Sequence, residues 1–410
     1  MDDLKIRNYA KLMVKKGVNI QKGQILVISS PIECADLARK AADEAFKLGA
    51  ADVFIRWNDE KFSKIRYLNA PGETFKNFPD WQREFYMYYL KKGAGLLSIY
   101  APDPEALKGV DPKIISDEKK ASEKPLKEWT EAMMSDRFPW CVVSAPTRAW
   151  AKKLFPKDTE KGAFEKLWGA ILKTSRADND DPVSAWSKHN EEIHKNMEKL
   201  NSMNVKSLHY KNSIGTDLDV ELPENYLWLG GDEATTTSKV QFSANIPTEE
   251  IFTLPKKDGV NGTLAASKPL NYGGNLIENF SFTFKNGRIV DFKAEKGYDM
   301  LKKIIELDEG SHYLGEVSLV PYDSPISNLN MLFYNTLFDE NAACHFAIGK
   351  AYPTCIKNGD KMGSEELEKI GVNDSMTHVD FMVGTKDLDI VGTTGDGKKI
   401  QIFRDGNFAF

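Results

Sequence analysis

The stretch that decides the fold runs from Gln24 to Trp57: QILVISS at 24–30, a segment from Glu33 to Leu48, and DVFIRW at 52–57. The first and last runs are short and rich in β-branched residues, as strands are. The middle segment sets Ala35, Leu37, Ala38, Ala41, Ala42 and Ala45 at helical spacing and stops at Gly49, where a helix C-cap is expected. Strand, helix, strand in this order is a βαβ unit and predicts a parallel sheet. Further out, Gly95–Tyr100 (GLLSIY) and Trp140–Ser144 (WCVVS) read as additional strands. Helical segments are expected after each, near Pro104–Lys108 and Thr147–Leu154. The turn after the first strand, Ser29 to Glu33, carries neither GxGxxG nor GxxxxGK[ST]. That argues against a nucleotide site there and for a structural α/β domain.

Composition excludes several classes. Of 410 residues, 41% are hydrophobic and 28% charged, so the chain is neither disordered nor fibrous. At roughly 150 residues per domain, two to three domains are expected. A net charge of −5 with interspersed signs speaks against a nucleic-acid partner. Cys34, Cys141, Cys344 and Cys355 are scattered, with no CxxC pair, which fits a reduced cytoplasmic protein without disulfides. The N-terminus is acidic and lacks an apolar signal core, and no run approaches the ~18 apolar residues of a membrane span. The expectation is a soluble cytoplasmic protein with no membrane partner.

Two long helices are predicted next, at Thr159–Ser175 and Pro182–Met203, with Trp168, Leu172, Trp186 and Ile193 on their apolar faces. His189 and His194 are five apart, the wrong spacing for a metal-binding HxxxH face, and read as surface or packing residues. Beyond Asn204 strand patterns dominate: Lys206–Lys211, Asp217–Leu222 and Phe280–Lys285. Asn286-Gly287 joins the last of these to Arg288–Lys293, a two-residue hairpin signal. Helices are expected at Tyr298–Leu307 and Asn328–Phe338, and a closing hairpin at Leu388–Thr393 and Lys399–Phe403. The predicted architecture is an α/β N-terminal domain over 1–204 with a mainly parallel sheet. An α+β metal-binding catalytic domain with mainly antiparallel strands follows over 205–410.

The chemistry-bearing residues fall in four short segments of the second half. NIPTEEIFT at 245–253 sets Glu249 and Glu250 side by side in an apolar frame. Its ordinary reading is a helix start, with Thr248 as cap and the acids favouring the helix dipole. In LGEVSLV at 314–320, Val317 and Leu319 share one strand face, and Glu316 and Ser318 share the other. The ordinary reading there is a solvated sheet face. In NAACHFAIGKAY at 341–352, His345 sits among small apolar neighbours and should be buried, which alone suits a hydrogen-bonded core histidine. A helix would hold His345 and Tyr352 about 10 Å apart, so a strand broken at Gly349 is the preferred reading. Cys344 reads as a small core residue. In SMTHVDFMVG at 375–384, Val379, Phe381 and Val383 face one way and His378, Asp380 and Met382 the other. His378 and Asp380 are then about 7 Å apart at Cα, and the ordinary reading is a polar edge-strand face.

Glu250, Glu316, Asp380, His345, His378 and Tyr352 together make a mixed oxygen and nitrogen donor set. It suits Zn²⁺, Co²⁺ or Mn²⁺ better than a thiolate site would. Three acids and two imidazoles suffice for two ions sharing a carboxylate, an arrangement recurrent in aminopeptidases and phosphatases.

In combination, NIPTEEIFT, GEVSLV, NAACHFAIGKAY and HVDFMVG resemble the thermophilic aminopeptidase family of two-metal exopeptidases, the group of aminopeptidase T, aminopeptidase S and PepS. The resemblance covers the whole chain in length and motif order. It implies a metal-dependent aminopeptidase that removes N-terminal residues from peptides, using two divalent metal ions per subunit (Zn, Co or Mn). It implies ligation by Glu250, Glu316, His345, His378 and Asp380, with Tyr352 a ligand or close neighbour. It also implies a homodimer whose active sites open onto an internal cavity, and a peptide substrate with a free N-terminus.

Such a metal pair would supply an activated water for attack on the scissile carbonyl. A carboxylate outside the ligand set must then carry the proton to the leaving amine. Glu249 is the candidate; if it alternates away from Glu250, Glu316 takes the role, and Tyr352 donates to the oxyanion. A dinuclear phosphoesterase or other metallohydrolase would use similar ligands, but phosphate needs adjacent Arg or Lys, and Lys350 is the one basic residue in the four segments. An α/β binding module would need no such ligand set.

Overall fold

A computed structural model describes residues 2–103, 105–272 and 275–410. The chain forms two compact units, Met1–His189 with Asp232–Pro247, and Asn190–Gly231 with Thr248–Phe410.

The first unit is built on a five-stranded sheet. It comprises β1 (Ile25–Pro31), β2 (Asp52–Asn58), β3 (Gly95–Ile99), β4 (Trp140–Val143) and the short strand Asn245–Ile246. Every pairing is parallel, with β1 between β2 and β3, as the βαβ reading predicts. Leu26, Val27 and Ile28 are all buried, the continuous apolar run of a strand covered on both faces. Helix α1 (Asp3–Leu12) packs on α2 (Ala35–Lys47), which turns Leu37, Ala38, Ala41 and Ala45 inward. This small-residue stripe lets the helix lie close to its neighbours. Gly49, with φ +93°, then reverses the chain in the left-handed conformation a glycine tolerates.

One expected helix is absent. Residues 105–109 form a turn, Ala106 N–H donating to Asp103 O (3.0 Å) and Lys108 N–H to Glu105 O (3.1 Å). Pro104, at the head of that expected segment, lies outside the described residues. The stronger start signal is Asp111-Pro112, where the Asp111 carboxylate caps helix Pro112–Glu123 and proline takes the first turn. Helix Arg148–Leu154 begins after Thr147, whose Oγ1 accepts from Trp150 N–H (3.3 Å). Helix α3 (Glu60–Asn69) has no buried residue, so no core-facing stripe marks it in the sequence. Helices Glu160–Thr174 and Pro182–Met203 stand where the periodicity puts them.

The second unit is mainly antiparallel. Its large sheet holds β5 (Val205–Lys211), β6 (Asp217–Glu221) and the strands Val260–Ala265, Asn275–Lys285, Arg288–Lys296, Asp389–Thr394 and Lys399–Arg404. Asn286 (φ 49°) and Gly287 (φ 78°) make the expected two-residue hairpin, since both positions need the left-handed region. A five-stranded antiparallel sheet runs in spatial order through β7 (Leu229–Gly230), β8 (Ile251–Thr253), β9 (Leu314–Leu319), β10 (His345–Gly349) and β11 (His378–Met382). Its apolar face packs on the large sheet: the Phe381 ring lies 5.1 Å from Phe282 and 5.8 Å from Phe280.

The expected helix at Asn328–Phe338 is not a single helix. A 3₁₀ turn at Ser327–Leu329 ends at Asn330 (φ 47°), and Thr336–Asp339 makes one short helix. The Asp339 carboxylate holds the loop between them, accepting from Phe333 N–H (2.7 Å) and Asn335 N–H (3.0 Å). All four cysteines are free and buried. Among the described residues, no helix is long and apolar enough to cross a membrane.

Candidate metal centre

The register of β9, β10 and β11 places the charged side chains on one face. Glu316 pairs with Ala347, and Ala347 pairs with Asp380, so one small side chain separates two acids across three strands. Ser318 pairs with His345, and Gly349 with His378, on the same face. The opposite face carries Val317, Phe346, Val379 and Phe381 into the core. His345, 1% exposed, is buried as its small apolar neighbours predict, and β11 is an edge strand as read, with His378 and Asp380 only partly exposed; the solvated-face reading of β9 does not survive, since Glu316 is 5% exposed. Nor does Thr248 start a helix; Thr248 to Glu250 are irregular backbone leading into β8.

His345 and His378 are oriented alike. His345 Nδ1 lies 3.1 Å from the Ala343 carbonyl, and His378 Nδ1 lies 2.7 Å from the Lys350 carbonyl. A carbonyl only accepts, so each Nδ1 carries the proton and each Nε2 is left to face inward. His345 Nε2 is 3.2 Å from Glu250 Oε2 and 3.4 Å from Glu316 Oε1. His378 Nε2 is 3.2 Å from both Glu316 Oε2 and Asp380 Oδ1. In the neutral tautomer these are acceptors converging on acceptors, which demands a second proton on each ring or a cation among them. Donors ~2.1 Å from one tetrahedral ion stand roughly 3.4 Å apart, and a backbone carbonyl on the remote nitrogen is the usual support for a ligating histidine. The donor set therefore fits divalent metal in chemistry and in spacing.

Two groups result, Glu250–Glu316–His345 and Glu316–His378–Asp380, each with its donor atoms within 4.8 Å of one another. Glu316 belongs to both. Ser318 Oγ donates to Glu250 Oε2 (2.9 Å) and fixes that carboxylate. The electrostatics carry the same demand for positive charge. Burial opposes protonation of His345, yet Glu250 and Glu316 raise it well above the usual range. Burial likewise opposes protonation of His378, while Asp380 and Glu316 raise it. Burial would lift the Glu316 carboxyl, but hydrogen bonds from the two imidazoles take it down to about 2.

Tyr352 sits beside this centre, its ring 4.9 Å from that of His378. Burial, then the carboxylates of Glu316 and Asp380, push its phenol up, so it is a neutral donor. Gly349 (φ +104°) breaks the strand as expected, and a Cβ there would meet Thr377 O at 2.2 Å. The turn it allows presents the Lys350 carbonyl to His378. Glu249 is buried, with its backbone N–H bonded to Asn341 Oδ1 (2.8 Å), and is in neither donor group. The structure adds a carboxyl the motifs did not single out. Burial, then the charges of Asp380 and Glu250, hold Glu340 well above the usual carboxylate range. It lies one residue before the NAACHFAIGKAY segment, where no spacing or strand pattern marks it.

Comparison with known proteins settles the family. The model of the thermophilic metalloprotease family (M29) matches residues 2–408. The chain belongs to the thermophilic metalloprotease (M29) family. It is 50% identical to aminopeptidase 2 of Geobacillus stearothermophilus over 402 residues, covering 98% of this chain and 97% of the relative. It is 48% identical to aminopeptidase AmpS of Bacillus subtilis (strain 168) over 406 residues, covering 99% and 98%. The solved structure of wild-type AmpT from Thermus thermophilus superposes with a TM-score of 0.93 at 35% identity, covering 99% of each chain. Membership makes the chain a metal-dependent peptidase, and its α/β-plus-antiparallel architecture is that of AmpT.

Proposed function

We infer that this chain is a metal-dependent aminopeptidase that hydrolyses N-terminal residues from peptides. The observation that carries the site assignment is the pair of donor groups joined at Glu316. Two divalent ions, of zinc, cobalt or manganese, would be held by Glu250 and His345 on one side and His378 and Asp380 on the other, with Glu316 between. When bound, such ions supply a water acidic enough to attack at neutral pH and an electrophile for the scissile carbonyl.

The protein's own groups do the rest. Ser318 and the Ala343 and Lys350 carbonyls hold the donors in one orientation. Tyr352, beside His378, would donate a hydrogen bond to the oxyanion or serve as a further ligand. Proton transfer to the leaving amine needs a carboxyl outside the donor groups. Glu316 is engaged by both imidazoles, so the role passes to Glu340, whose carboxyl burial and the charges of Asp380 and Glu250 hold well above the usual range. Glu249 is the alternative. Glu340→Gln and Glu249→Gln separate them, because the base is the one whose loss lowers kcat with metal content unchanged.

A phosphoesterase is not favoured. Among the described residues no lysine or arginine pairs with Glu250, Glu316 or Asp380, and Lys350 is paired with Asp374 (3.4 Å). The proposal includes a homodimer in the cytoplasm, for which sedimentation and cell fractionation are the checks. The activity itself is tested with free and N-acetylated aminoacyl-anilides in Co²⁺, Zn²⁺ or Mn²⁺. Metal-dependent cleavage of the free series alone supports the reading, and equal cleavage of both series contradicts it.

A further inference from the structure

The parallel sheet of the first unit carries a second concave feature. A cavity of about 210 Å³ lies where the C-terminal ends of β1 to β4 feed their loops. Pro31 ends β1 and Ile32 and Glu33 follow it, Asn58 ends β2 and Asp59 to Lys61 follow it, Asp103 follows β3 and Thr147 follows β4. The strand order puts β1 between β2 and β3, so the connection from β1 runs to one edge of the sheet and those from β2 and β3 run toward the other. In open parallel sheets, the crevice beyond the strand ends at such a reversal is where ligands bind. Every lining residue belongs to the first unit, and every donor of the metal centre to the second.

The lining sets the ligand's chemistry. A helix N-terminus attracts anions, but α3 presents its own acids there: Asp59 as cap, accepting from Phe62 N–H (3.0 Å), and Glu60 in the first turn. That disfavours phosphate. Most remaining charges are already matched. Lys61 pairs with Glu33 (2.7 Å), Lys153 pairs with Glu105 (2.7 Å), and Asp103 Oδ1 accepts from Glu105 N–H (2.9 Å). Asp59, Glu60, Lys64 and Asp103 have no ion pair among the described residues; the Asp59 and Asp103 carboxylates are taken up by backbone N–H groups two or three residues along their own segments, which leaves Glu60 and Lys64 to meet a ligand. Glu60 Oε2 accepts the Asp103 N–H (3.0 Å) but has no ion pair among the described residues, and burial raises its carboxyl above the usual range. Lys64 lies one helical turn further on the same face of α3 and likewise has no ion pair among the described residues. Pro31, Ile32 and Ala149 supply apolar wall. The volume is below the ~300–1,000 Å³ of pockets for drug-sized ligands, which suits a molecule of amino-acid size.

We propose that this cavity binds a free aliphatic amino acid as its zwitterion, the ammonium against Glu60, the carboxylate against Lys64 and the side chain on the Pro31–Ile32–Ala149 wall. Such a ligand is also what an aminopeptidase releases, but the assignment stands on the first unit's residues and does not need that activity.

Calorimetric titration of the intact, metal-loaded enzyme with L-leucine, N-acetyl-L-leucine and isoamylamine tests it. Wild type should bind leucine in an event that Glu60→Gln and Lys64→Met each weaken about tenfold or more, or about 1.4 kcal/mol. Turnover of an aminoacyl-anilide should stay within about twofold of wild type. N-acetyl-leucine lacks the ammonium and isoamylamine the carboxylate, so neither should reproduce the event. Ala149→Leu, which fills the cavity and keeps both charges, should also remove it and serves if a charge variant melts early. Leucine binding unchanged in all three variants, or lost only on His378→Ala, would overturn the proposal by placing the amino acid at the metal centre alone.

Discussion

Strands β2 and β11 are both edge strands of five-stranded sheets, and both alternate. In β2, Asp52, Phe54 and Arg56 are exposed along one face, and Arg56 lies over the Tyr86 ring at 5.4 Å. In β11, His378 and Asp380 occupy the corresponding polar face, yet their side chains are only 21% and 15% exposed. The difference is what the neighbouring strands bring to the same row. Beside Asp380 stand Ala347 and then Glu316, so charges converge over a small residue instead of dispersing into water. Periodicity therefore reports which side chains share a face, and register decides whether that face is a surface or a site.

The sharpest break in the comparison is removal of metal. Chelation and dialysis should abolish peptidase activity, and Co²⁺, Zn²⁺ or Mn²⁺ should restore it, followed by anilide cleavage. Full activity in enzyme with no metal detected would contradict the account. Next in size, His378→Ala and Asp380→Ala should each lower kcat/KM by several orders of magnitude, since Lewis-acid activation supplies several kcal/mol of the barrier. Both variants should stay folded, because the packing of β11 comes from its other face. Arg56→Ala, on the other edge strand, should leave kcat/KM unchanged.

Ala347→Leu sharpens the register argument. Its side chain would enter the row between Glu316 and Asp380, so activity should fall at least about a hundredfold at a stability cost of ~1–3 kcal/mol, the usual range for overpacking. Phe381→Ala reports the opposite face. It should cost ~3–5 kcal/mol in denaturant unfolding as a large-to-small core change. Arg56→Ala should move unfolding by no more than ~0.5 kcal/mol, as surface substitutions generally do.

Much of this was legible in the sequence, for local reasons. The βαβ unit follows from an apolar run, an alanine stripe and Gly49. The Asn286-Gly287 hairpin follows from residues that tolerate left-handed backbone. The two faces of β11 follow from HVDFM alone. Other features depend on partners distant in sequence. Helix α3 buries nothing, so its pattern carries no core signal. The segment at 328–338 reads as a helix until Asp339 accepts two backbone N–H groups and holds it as a loop. Residues 105–108 lose to the stronger start at Asp111-Pro112. No strand pattern or spacing marks Glu340; the fold brings the turn that carries it against β11. The motifs named candidate donors, but that Glu316 belongs to both groups depends on strand register.

The central claim is that Glu316 joins two metal-binding groups, and metal stoichiometry tests it most directly. Wild type and Glu316→Ala would be loaded with Co²⁺ or Zn²⁺, desalted and measured by elemental mass spectrometry, with melting curves to confirm folding. The account predicts two ions per chain in wild type. It predicts loss of both from Glu316→Ala, with each remaining group reduced to two donors. A folded Glu316→Ala variant that keeps two ions per chain would contradict it.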